Sequence, residues 1–264
     1  MINIKKTLLI LKTYRIIDEI VNPEEIETKS FEPKDSLNLD LWNQDGELDL
    51  YIRRKLLEIA KDFIENLDIR DIDIKDVTLT GSMANYNYDS DESDLDLHII
   101  VDFDSIDGSP ELVKKYFDSV KKVWNDQHGG ITIKKHPVEV YVQSDKEEHK
   151  SSGIYSLITG EWIVEPDKEK MKSNVPDLEK AKEIAADYSH KIDMLILRSD
   201  HPAKINADAK NLFDEIKEMR KSSLKGKSPE MSQGNIVFKI LRRSGYIEKL
   251  IDIINAMKDK SLSL

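Results

Sequence analysis

VTLTGSMANYNYDSDESDLDLHIIVDF, residues 77–103, changes character twice. An apolar run closes on Gly81-Ser82, a tract of Asn, Tyr, Ser and acids follows, and strand-like sequence resumes at Leu95. The pattern predicts one strand over 77–81, ending in a turn residue, and a second over 95–103. The later half of the second is apolar enough for burial on both faces, as in the interior of a sheet. Side chains two apart on a strand share a face, so Asp94 and Asp96 point one way and Leu95 and Leu97 the other.

Outward from this stretch, HPVEVYVQS (136–144) alternates Val138, Val140 and Val142 with Glu139, Tyr141 and Gln143, the pattern of a half-buried strand. Residues 47–67 repeat apolar positions at helical spacing through Leu50, Leu57, Ile64 and Leu67. Ser109-Pro110 opens an amphipathic helix over 109–127, which His128-Gly129-Gly130 ends. A short β-like piece includes 161–166, and Tyr155 and Trp162 read as core of that segment. Helices follow over about 177–199, 203–222 and 234–258. A first helix is expected from Ile4 to Val21, stopped by Asn22-Pro23, with a long connection over 22–46. The fold class is α+β: a small mixed sheet flanked by helices, with a helical C-terminal region. Three parts are expected: 1–46, an N-terminal helix and connection; 47–165, the core; and 166–264, a helical domain.

The 264 residues carry a net charge of −11, 39% hydrophobic and 34% charged residues, and no cysteine. This is a globular composition, and it excludes disulfides and thiolate metal sites. From His201 onward thirteen basic residues face eight acidic ones, a local +5, which leaves −16 on the first 200 residues. An acidic body that could hold divalent metal is thus joined to a basic end that could meet phosphates. Non-specific coating of nucleic acid is argued against. Charged residues interrupt the apolar N-terminus, and no segment approaches the ~20 apolar residues of a membrane span. The expectation is a cytoplasmic protein with no membrane partner.

Two carboxylates on one strand face repel each other, and a hard divalent cation such as Mg²⁺ is their natural partner. Glu139, opposite the face of Val138 and Val140, would join Asp94 and Asp96 if the two strands were neighbours. Gly81 allows close backbone approach, and a helix starting at Ser82 would offer N–H groups and a hydroxyl to phosphate oxygens. An EF-hand reading from Asp89 fails, because Asp94 stands where glycine is needed and Ile100 where a bidentate Glu is needed. Asp89, Asp91 and Glu92 read as solvated loop charge, His98 as a structural histidine, and Tyr86 and Tyr88 as packing residues. Lys239, Arg242 and Arg243 share one helical face, open to two readings: a solvated basic surface or a phosphate clamp.

Gly-Ser, ten residues, Ser-Asp-Leu-Asp-Leu and a distant Val-Glu-Val resemble the DNA-polymerase-β-like nucleotidyltransferase superfamily, over about residues 77–143. The resemblance implies that Gly81 and Ser82 bind nucleotide phosphates and that Asp94 and Asp96 bind both of two metal ions. It implies that Glu139 is the third carboxylate and that Ser93 matches the serine preceding the first acid. Mg²⁺, with Mn²⁺ as substitute, and an NTP donor, ATP first among them, are the implied cofactors. The arginine many members carry shortly after Gly-Ser is missing, since Ala84 is followed by Asn85-Tyr86-Asn87. The implied activity moves a nucleoside monophosphate from the NTP to a hydroxyl acceptor and releases pyrophosphate. The acceptor is open among a small hydroxylated molecule, another nucleotide, a tRNA-like RNA (as for a tRNA-directed toxin) and a protein. The alternative of another class is a non-catalytic nucleotide-binding or interaction protein that retains the fold.

Overall fold

A computed structural model of the chain describes residues 21–263, apart from 68, 70, 71, 129, 150, 199 and 225–228. The helix expected from Ile4 to Val21 lies outside the described residues, Val21 apart. The chain divides into two compact units, residues 30–173 and residues 1–29 with 174–264.

The 30–173 unit holds a six-stranded mixed sheet: β1 (Ile74–Thr80), β2 (Leu95–Val101), β3 (Thr132–Ile133), β4 (His136–Ser144), β5 (Ile154–Ser156) and β6 (Glu161–Val164). Strand order is β3-β4-β2-β1-β5-β6. Strand β2 pairs parallel with β4, and every other pairing is antiparallel. Parallel neighbours need a long crossover, and helix α2 (Pro110–His128) supplies it. The expected alternation holds in β2, where Leu95, Leu97 and Ile99 are buried while Asp96 and His98 are half-buried. Ile100 and Val101 then bury both faces, as an interior strand requires.

Helix α1 (Leu50–Glu65) starts where the Asp49 side chain accepts from the backbone N–H groups of Tyr51 and Ile52, at 2.8 and 3.1 Å. Its buried stripe is Ile52, Leu56, Ala60 and Phe63, whereas Leu50 is 73% exposed. The expected stripe through Leu50 is therefore displaced: the cap puts Leu50 in the first turn, and Leu57 and Ile64 pack along the flank. Residues 30–46, expected as part of a connection, contribute Leu37, Leu41 and Trp42 to the same core. Trp42 stacks on Trp162 at 4.7 Å and meets Tyr155 edge-on at 5.0 Å. Aromatic burial thus ties this segment to the β5–β6 hairpin. A five-residue helix, α3 (Lys168–Lys172), closes the unit.

The other unit contains α4 (Leu178–Ile196), α5 (Pro202–Ser223), α6 (Gln233–Arg243) and α7 (Tyr246–Leu262). The single helix expected over 234–258 is two, because Gly245 adopts φ +79° and leaves the right-handed path. The described residues of the whole chain thus form an α+β protein, and none of its helices is long and apolar enough to cross a membrane.

Candidate metal centre

The register of β2 and β4 sets Asp96 directly against Glu139. Asp94 lies one residue before β2 and shares the face of Asp96. One carboxylate oxygen from each of Asp94, Asp96 and Glu139 lies within 4.8 Å of the others, and all three residues are half-buried. Among the described residues no other His, Asp and Glu side chains gather in this way. Three carboxylates so close repel one another unless they share a cation. An all-oxygen donor set suits a hard ion such as Mg²⁺ or Mn²⁺ rather than a thiolate-seeking one. The residues present therefore fit the divalent ion expected from the sequence.

Gly81 makes the room. It holds φ +76° and ψ −160°, a combination almost confined to glycine. A Cβ built on it would lie 1.8 Å from Asp96 Oδ2 and 2.9 Å from Asp96 Cγ. The bare backbone is what lets the turn pass against the carboxylate. Beyond it, Ser82–Ala84 is a single 3₁₀ turn and not the helix start expected at Ser82. The turn stops because Met83 and Ala84 are buried and Asn85 runs extended, its amide donating to Ser152 Oγ at 2.6 Å. Two of its carbonyls are closely approached by other parts of the unit. Trp42 Nε1 donates to Met83 O at 2.8 Å, and a Cβ on Gly153 would lie 1.9 Å from Ala84 O.

The two serines meet each other. Ser82 Oγ donates to Ser93 Oγ at 2.9 Å, and Ser93 Oγ also accepts from the Asp89 backbone N–H at 2.9 Å. The buried His136 ring closes the loop, with Nδ1 2.7 Å from Ser93 O. Since a carbonyl only accepts, Nδ1 carries the proton. Asp89 departs from its expected role as solvated charge. It is buried, and its carboxylate accepts from the N–H groups of Asp91 and Glu92, at 2.9 and 3.2 Å. Such a turn suits Asp, whose short side chain reaches backbone two residues on. Asp91 and Glu92 are exposed, and Tyr86 and Tyr88 pack against the core.

Two residues that the sequence reading did not single out stand beside the triad. The Tyr141 hydroxyl donates to Glu139 Oε2. Burial first, then the field of Asp96 and that hydrogen bond, raises the Tyr141 pKa and keeps the phenol protonated. The Lys121 ammonium lies 3.3 Å from the centroid of the Tyr141 ring. Burial lowers its pKa against the opposing pull of Glu139, Asp118, Asp96 and Asp94. Tyr141 had a signal in sequence, two residues from Glu139 on one strand face; Lys121 had none to separate it from Lys122. His98 has the expected structural role, stacked on Tyr141 at 4.8 Å with Nδ1 3.0 Å from Gln143 Oε1. Burial pushes its pKa down to about 4.

The remaining site residues expected from the sequence belong to the helical unit. Lys239, Arg242 and Arg243 lie on α6, and α5 adds Arg220. Arg220 Nε donates to Asn235 Oδ1 at 3.1 Å, and its guanidinium carbon lies 4.3 Å from the Phe238 ring centroid. Lys239 is half-buried. Burial, followed by Arg243, Arg242 and Arg220, lowers its pKa to about 8, with Glu230 opposing.

No protein-family model matches the chain, and no curated protein matches it. Among solved structures, it aligns with the STING-associated CdnE c-di-GMP synthase from Capnocytophaga granulosa. That alignment covers 96% of this chain and 99% of the other at 12% identity, with a TM-score of 0.23. Superposition that poor carries no argument for a shared fold or activity.

Proposed function

We propose that the chain is a metal-dependent nucleotidyltransferase, which moves a nucleoside monophosphate from an NTP, ATP first among donors, to a hydroxyl acceptor. The observation that carries this reading is the direct pairing of Asp96 with Glu139 across parallel strands, with Asp94 completing the oxygen cluster beside Gly81. Asp94, Asp96 and Glu139 would hold the divalent ions, Mg²⁺ or Mn²⁺, which on binding supply charge neutralisation for phosphate oxygens. The acceptor oxygen attacks the α-phosphorus, the bond to the β-phosphate bridge oxygen breaks, and pyrophosphate leaves with the electron pair. In this reading Glu139 orients the acceptor hydroxyl and helps remove its proton, while Tyr141 fixes the rotamer of Glu139.

Gly81 supplies close backbone approach for the triphosphate, and Ser82 and Ser93 hold the turn that shapes that approach. Lys239, Arg242 and Arg243 are proposed as phosphate contacts of the helical unit, on the strength of their clustering with Arg220. The acceptor is proposed to be one of four chemical kinds: a small hydroxylated molecule, a nucleotide, a tRNA-like RNA or a protein.

The test is to incubate the full chain with each α-labelled NTP, Mg²⁺ and cell extract, then to separate small molecules, RNA and protein. Label should enter one fraction with stoichiometric pyrophosphate, and Asp96→Asn should abolish it. Label transfer that persists in Asp94→Asn and Asp96→Asn refutes the assignment.

A further inference from the structure

Lys121 is linked to the triad through the Tyr141 ring. On α2 it follows the buried Phe117 by four residues and precedes the buried Trp124 by three, so it flanks the face that packs on the sheet. Its ammonium rests on the face of Tyr141, at 3.3 Å from the ring centroid, and the hydroxyl of that ring is bonded to Glu139. Glu139, Asp96 and Asp94 all act on its charge, together with Asp118 on its own helix. The contact that positions the ammonium is thus the Tyr141 ring, which links it to Glu139 through the phenol hydroxyl. The lysine is held on an aromatic face within the field of all three acids.

We propose that Lys121 is the resident counter-cation of the triad, which holds the carboxylates together without metal and sets a ceiling on divalent-ion affinity. The inference rests on the reading of the triad as a divalent-cation site. The physics has a definite sign. A fixed unit charge offsets part of the repulsion among the three acids, and the same charge repels an entering divalent ion with twice the force. A half-buried position screens this interaction less than bulk water would, so removing the charge strengthens ion binding. The chemistry is not restricted to one metal, and Mn²⁺ serves as the probe because its free concentration is read by electron paramagnetic resonance.

Mn²⁺ titrations of the full chain would compare wild type, Lys121→Met, Lys121→Gln, Lys121→Arg and Asp96→Asn at low and high salt. Both neutral variants should bind Mn²⁺ about tenfold more tightly at low salt, and the gain should shrink as salt screens it. Lys121→Arg should stay within about threefold of wild type, because the charge is retained over an aromatic face. Unchanged or weaker binding in both neutral variants overturns the inference, and weaker binding would make Lys121 a support for Tyr141 and Glu139 instead. If wild type and Asp96→Asn bind Mn²⁺ alike, the metal reading itself falls and takes this inference with it. Asp96→Asn losing Mn²⁺ while Lys121→Met matches wild type sinks the role of Lys121 alone.

Discussion

Gly81→Ala perturbs the site without touching a charge. Alanine would have to hold φ +76° with ψ −160°, where a side chain costs about 1–3 kcal/mol of backbone strain. Its methyl would also stand 1.8 Å from Asp96 Oδ2, 2.9 Å from Cγ and 3.3 Å from Cβ, so the carboxylate must swing away or the turn must shift. A forced rotamer or backbone shift adds about 1–3 kcal/mol. The expected total is about 2–6 kcal/mol, read by urea unfolding of the metal-free protein. A double-mutant cycle separates the two parts. In an Asp96→Ala background the Oδ2 and Cγ clashes are gone, so Gly81→Ala should cost only the strain, and the coupling should be about 1–3 kcal/mol. Mn²⁺ affinity should fall in Gly81→Ala alone, since Asp96 is displaced. Additivity within about 0.5 kcal/mol, or wild-type Mn²⁺ binding by Gly81→Ala, would refute the claim that this glycine exists to admit Asp96.

Other outcomes follow from the same structure. Asp94→Asn and Asp96→Asn should lose Mn²⁺ binding while the metal-free protein keeps or gains thermal stability, because each removes a like charge from a cluster within 4.8 Å; a large loss of stability would instead mark these acids as structural. Trp42→Phe removes the indole donor to Met83 O and should cost about 1–3 kcal/mol by leaving a buried carbonyl unpaired; an unchanged urea midpoint would show that the turn does not need it. The Lys239 pKa, lowered to about 8 from 10.5, means that the unfolded chain binds more protons than the folded one between those values. The resulting penalty is fully present below pH 8 and disappears as pH rises toward 10.5. Lys239→Met should therefore be more stable than wild type at pH 7, on the order of 1–3 kcal/mol after allowance for partial exposure, with the gap closing by pH 10.5. A variant less stable than wild type throughout would show that the lysine is well paired.

Much of the site was legible because its signals are local. Period-two alternation assigned Asp94 and Asp96 to one face of β2, and Glu139 to the polar face of β4, from a few residues of context each. The Gly-Ser turn was visible as punctuation between an apolar run and a polar tract. Where the reading went astray, a local signal competed with a distant one. Ser82 had the composition of a helix start, but the burial of Met83 and Ala84 and the bond from Asn85 to Ser152 ended the turn after three residues. Asp89 had the look of solvent-facing charge, yet backbone N–H groups two and three residues on claimed its carboxylate and buried it. Ser244-Gly245 was a break signal inside a long apolar periodicity, and the periodicity concealed it.

The strands around 77–81, 95–101 and 136–144, the main helices, the shared face of Asp94 and Asp96 and the polar face of Glu139 belong to the sequence by itself, since strand and helix periods are properties of consecutive residues. Tertiary structure alone decided that β4 lies beside β2, in parallel, and in the register that sets Asp96 against Glu139. Strand adjacency is a choice among distant partners, made by the crossover through α2 and by which apolar faces bury together. The same packing brought Lys121 from a helix onto Tyr141, and Trp42 from a presumed connection onto the turn after Gly81. No periodicity records such meetings, because the residues involved are separated by 20 to 41 positions of chain and share only a common core.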